Sequence, residues 1–115
     1  MVSLGLELVH QLVEAATTLG EAQIKGDAVT VNRQQDKLTR LYGELRTHYP
    51  EVETDLKALL GHANGYVRLH AACCLVPMAP LEAKAALSQI SEERGLLGLT
   101  AELMLEEWEA GRLKI

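Results

Sequence analysis

The sequence predicts an all-α domain of about six helices, and three observations carry that prediction. Apolar residues recur at three- and four-residue steps along most of the chain, the period of a helix with one face turned to a core. Aromatic residues make up only 3% of the chain, with no Phe, so strands built from β-branched and aromatic side chains have little to draw on. The three prolines, Pro50, Pro77 and Pro80, cluster where helices should break or begin. At 115 residues, one core and a single domain over residues 1–115 are expected.

The elements follow in order. From Ser3 to Lys25, Leu8, Val9, Leu12, Val13, Ala16 and Leu19 form one face, with Glu7, Glu14 and Glu21 opposite. Gly20 should weaken the last turns by roughly 1 kcal/mol relative to Ala, and Gly26-Asp27 reads as a stop followed by an N-cap. A second helix is expected from Ala28 to His48, with Val31, Gln35, Leu38, Leu41, Tyr42, Leu45 and Tyr49 on one face and Pro50 ending it. Its start, Asn32 to Lys37, is polar all round and reads as a solvated surface.

A short third helix, Glu51 to Leu60, turns Val52, Leu56, Leu59 and Leu60 inward and puts Glu51, Glu53 and Asp55 at the positive end of its dipole. His62-Ala63-Asn64-Gly65 carries the strongest turn signal. A fourth helix from Tyr66 to Val76 aligns Val67, Ala71 and Leu75, with Ala72 and Val76 widening the face. Pro80 suits the first turn of a fifth helix, which runs to Ile90 with Ala83, Ala86, Leu87 and Ile90 inward. The last helix, Leu96 to Ala110, carries two apolar rows, Leu96-Leu99-Leu103 and Leu97-Ala101-Met104-Trp108, expected together to close the core.

Charge and motif content narrow the function. Eleven basic residues against sixteen acidic ones give a net charge of −5, which disfavours nucleic acid, whose binding depends on Lys and Arg replacing counterions. No apolar run approaches the ~20 residues that span a bilayer, and the N-terminus lacks the marks of a signal peptide, so a cytoplasmic location without membrane contact is expected. Cys73 and Cys74 are adjacent on a helix and read as small buried apolar side chains. No phosphate loop, nucleophile elbow or metal helix is present. His62 and His70 with either cysteine match no established zinc spacing. Neither catalytic residues, metal nor cofactor is expected.

The run Asn64, Val67, Arg68, Ala71, Ala72, Leu75 resembles the second helix of a HEAT repeat, and with Leu56, Leu59 and Leu60 before it covers one hairpin from Pro50 to Val76. More loosely, the whole chain is similar to a family of small uncharacterised bacterial HEAT-like domains. That resemblance implies a short right-handed α-α superhelix of HEAT or armadillo-like hairpins, and no particular activity. Arg68 is expected to bind a carboxylate or loop carbonyls within the stack.

The expected function is therefore a non-catalytic protein-interaction module, and within that class the sharpest reading is a bacterial immunity protein that neutralises a cognate toxin. Its partner is expected to present a basic surface to Glu102, Glu106 and Glu109. The alternative is a ligand-binding or enzymatic domain with a cleft around Asn32, Arg33, Asp36 and Arg68.

Overall fold

A computed structural model describes residues 3–113 as six α-helices and one 3-10 turn, with no strand among the described residues. They are α1 (Leu4–Lys25), α2 (Ala28–Thr47), α3 (Tyr49–Ala58), the 3-10 turn Leu59–Gly61, α4 (Gly65–Leu75), α5 (Pro80–Ile90) and α6 (Leu96–Glu109). The boundaries have local causes. The Ser3 hydroxyl accepts from the Leu6 N–H at 3.1 Å, and the Asp27 carboxylate accepts from the N–H of Thr30 at 3.1 Å and from its hydroxyl at 2.7 Å. Gly26 ends α1 with φ of 75°, a left-handed conformation that lets its N–H and that of Asp27 satisfy the last carbonyls of the helix. Asn64 caps α4 by accepting from the Tyr66 N–H at 2.9 Å.

Both ends of the third helix lie two residues before the expected ones, and the other boundaries shift by one residue at most. Pro50 does not terminate α2, which stops at Thr47; it lies in the first turn of α3, where a missing N–H costs nothing. Tyr49 thus begins α3. The third helix also ends earlier, at Ala58, and Leu59 and Leu60 are only half-buried in the 3-10 turn that follows.

The helices pair in chain order. α1 and α2, joined by two residues, pack closely along their length; α3 leads through the 3-10 turn into α4; α5 packs on α4 and α6 on α5. α4 is the hub, touching α1, α2, α3, α5 and α6, whereas contacts between the α1–α2 pair and the α5–α6 pair are slight at most among the described residues. The core joins Leu8, Leu12 and Leu19 of α1, Leu38 and Leu45 of α2, Leu56 of α3, Leu75 of α4 and Leu87 of α5. Each such leucine contributes about 1.5–3 kcal/mol by leaving water.

Two glycines set close approaches. A Cβ on Gly20 would lie 2.5 Å from the ring of Tyr66, so the residue that looked like a weakness in α1 is where α4 presses against it. At Gly98 a Cβ would meet the backbone carbonyl of Glu93, which fixes how α6 leaves its connecting loop.

α6 departs most from expectation. Leu97, Met104 and Trp108 pack against the core and Ala101 is fully buried, but Leu96, Leu99 and Leu103 are about half exposed, at 48%, 50% and 51%. Only α4 and α5 touch this helix substantially, so just one of its two apolar rows finds a partner. No helix among the described residues is long and apolar enough to cross a membrane.

Candidate functional site

α2 and α6 stand on either side of α4 and leave a groove between them. Gln35, Thr39, Tyr42 and Arg46 recur at helical spacing along α2 and make one wall. Thr100 and Met104, one turn apart on α6, make the other. Leu69, His70 and Cys73 of α4 form the floor, and Leu113, just past α6, lies at the rim. The groove holds about 720 Å³, within the range of small-molecule sites.

At its floor the Tyr42 hydroxyl lies 2.6 Å from His70 Nδ1, with both side chains buried and their rings stacked. Burial holds the imidazole down to about 4 and pushes the phenol well above its ordinary value, so both groups are neutral near pH 7. A phenol is the stronger donor and an imidazole nitrogen the stronger acceptor, which assigns the hydrogen bond from Tyr42 to Nδ1 and the imidazole proton to Nε2. Nε2 has no hydrogen-bond partner among the described residues. No fully buried polar side-chain atom there is left unpaired, so this nitrogen reaches the groove surface.

Arg46, one turn from Tyr42, sits 5.7 Å from the tyrosine ring and donates from Nε and Nη2 to the carbonyls of Cys74 and Cys73, each at 3.2 Å. Those carbonyls close α4, where a cation offsets the negative end of the helix dipole. Two of the five guanidinium donors are thereby used, and three have no acceptor among the described residues.

The cysteines are buried and unpaired; Cys73 Sγ lies 3.7 Å from Met104 Sδ, and burial pushes the thiols up to about 12 for Cys73 and about 11 for Cys74. His62 Nδ1 accepts from the Asn64 N–H at 3.0 Å within the turn. Val67, Ala71, Ala72 and Leu75 have no exposed surface. Arg68 forms a two-pronged pair with Glu93, Nη1 to Oε2 at 2.8 Å and Nη2 to Oε1 at 3.3 Å, tying α4 to the loop between α5 and α6.

The cleft expected around Asn32, Arg33, Asp36 and Arg68 does not form. Arg33 and Asp36 point to solvent from the polar start of α2, Asn32 borders a separate shallow dip near the α1–α2 turn, and Arg68 is held by Glu93. The groove opens further along α2, opposite Thr100 and Met104 of α6, where Met104 meets Cys73. Tyr42, Arg46 and His70 were not singled out as a site by sequence. The available signal was a histidine inside the apolar run from Leu69 to Leu75, together with Tyr42 and Arg46 one turn apart.

Glu102, Glu106 and Glu109 are all exposed on the outer face of α6. Their spacing of four and three residues sets them in one row, and helical geometry puts that row beside the exposed Leu96, Leu99 and Leu103.

Residues 6–107 match the family described as Domain of unknown function (DUF2019). The chain belongs to that family. No curated protein and no solved structure matches it. The family segment starts in α1 and ends in α6; it takes in every groove residue except Leu113, and Glu102 and Glu106 but not Glu109.

Proposed function

We propose that this domain is a non-catalytic protein-binding module that engages a basic partner through the outer face of α6. One observation carries the reading: a half-exposed leucine row lies beside a row of exposed glutamates on a helix that only two others contact substantially. Leucines offer desolvation energy at the centre of a contact, and flanking carboxylates steer a basic surface toward it. A binding role also fits the chemistry inside, since the thiols are held protonated and the one buried histidine is neutral and already hydrogen-bonded. Packing of each helical pair on the next in chain order supports the HEAT-like reading, in which α2, α4 and α6 share one side of the stack. The free cysteines suit a reducing cytoplasm. Within the binding class, an immunity protein that blocks a toxin is the sharpest form, by analogy with other small acidic single-domain inhibitors.

A photo-crosslinking side chain in place of Leu103, introduced in the native host, captures the partner, and stopped-flow association with the purified partner then measures the surface. A Glu102→Gln, Glu106→Gln, Glu109→Gln variant should fold normally, associate at least tenfold more slowly at low salt, and respond less to added salt. Association unchanged across salt concentrations removes the acidic row from the interface. A captured protein whose enzymatic activity survives saturation by the domain removes the immunity reading while leaving the binding module.

A further inference from the structure

The groove between α2 and α6 has an electrostatic character opposite to that of the chain. Sixteen acidic residues outnumber eleven basic ones, yet the groove is lined by Arg46 and by no Asp or Glu. Its polar groups are of both kinds, and the only charged one is a donor, Arg46. The Thr39 and Thr100 hydroxyl hydrogens are already given to the carbonyls of Gln35 and Leu96 in their own helices, so these oxygens offer only lone pairs, whereas the Gln35 amide, His70 Nε2–H and three guanidinium hydrogens of Arg46 have no acceptor among the described residues. The rest of the floor and rim is apolar, from Leu69, Met104 and Leu113, and a methionine adapts its shape to what it meets.

From this geometry we propose that the α2–α4–α6 groove binds a small carboxylate with an apolar body, its carboxylate received by Arg46 and the Nε2–H of His70. A histidine 5% exposed, clamped through one nitrogen by Tyr42 and open to a cavity through the other, is a built donor and not a satisfied core residue. One guanidinium and one neutral donor match the single charge and two acceptor oxygens of a carboxylate. A phosphate, with more charge and more acceptors, asks for more cations than the one that the described groove residues supply. Tyr42 is a positioning residue, since its hydroxyl fixes the tautomer that makes Nε2 a donor. The site is distinct from the outer face of α6 and does not depend on a protein partner.

Calorimetric titration of the full chain with decanoate and with 3-phenylpropionate, each beside its primary amide, tests the proposal, with NMR of the His70 imidazole and the Met104 methyl locating the site. Both carboxylates should bind saturably and shift those two signals, each amide should bind at least tenfold more weakly, and inorganic phosphate should not compete. Arg46→Met should weaken the acids at least tenfold without changing the amides. Because that variant also loses the bonds to α4, Thr100→Leu provides a second check: it narrows the groove from the wall and should weaken acid and amide together at unchanged melting temperature. The Glu102→Gln, Glu106→Gln, Glu109→Gln variant should bind the acids as the wild type does. Equal binding of acid and amide, competition by phosphate, shifts confined to other residues, or no saturable binding by either acid at millimolar concentration overturns the assignment.

Discussion

α4 and α6 are both helices in which most residues are hydrophobic, yet they end in opposite environments. Eight of the eleven residues of α4 are buried, including His70 and both cysteines, whereas in α6 only Gly98 and Ala101 are. The cause is position: α4 is packed on by every other α-helix, whereas among the described residues only α4 and α5 pack substantially on α6. Stability is therefore concentrated in α4 and free surface in α6. A residue of the same type has a different role in each, so Leu75 is core while Leu103 is half in water.

The largest expected effect comes from charging the hub. Ala71 has no exposed surface, so Ala71→Glu places an unpaired carboxylate where helices meet and should destabilise the fold by more than about 4 kcal/mol. Urea unfolding measures it, and a midpoint equal to the wild type would mean that α4 is not the centre of the core.

A smaller effect should appear on acidification. The folded state holds His70 down to about 4 while the unfolded chain titrates near 6.5, so between those values the unfolded state binds more protons and folding weakens as pH falls. Stability from this group is complete above about pH 6.5 and is lost progressively toward pH 4, by roughly 3 kcal/mol in all. A His70→Gln variant should show a flatter stability profile over that range. An equally steep fall in the variant would assign the acid sensitivity to other groups.

The smallest effect sharpens the contrast from the other side. Replacing Leu99 and Leu103 together by Ser should change stability by no more than about 0.5 kcal/mol per site, since each is already half in water. A melting temperature lowered by more than a few degrees would place that row against something structural and end its claim as free surface.

Much of the fold is legible in the linear pattern because its signals are local. Ser3, Asp27 and Asn64 each cap a helix through a bond to an N–H two or three residues on, and Gly26 ends α1 through its own backbone angle, so short windows of sequence suffice. Pro50 misled as a terminator because proline is equally at home in the first turn of the next helix, and only packing chose between the two. Gly20 read as a weakness because its reason, the ring of Tyr66, lies 46 residues away in the chain. The groove was not legible at all: Tyr42 and His70 are 28 residues apart, and no local period links them.

What the sequence by itself determined is the list of helices, their caps and the period of their apolar faces, because these depend on interactions within a turn or two of backbone. Only the tertiary structure decided which apolar rows would be covered. A helix records in its sequence that a face can be buried, but whether a neighbour arrives depends on where the other helices go. α4 had helices packed around it and buried even its histidine and thiols. α6, at the edge of the packing, left Leu96, Leu99 and Leu103 facing water beside its glutamates, and left between itself and α2 the groove into which His70 turns its free nitrogen.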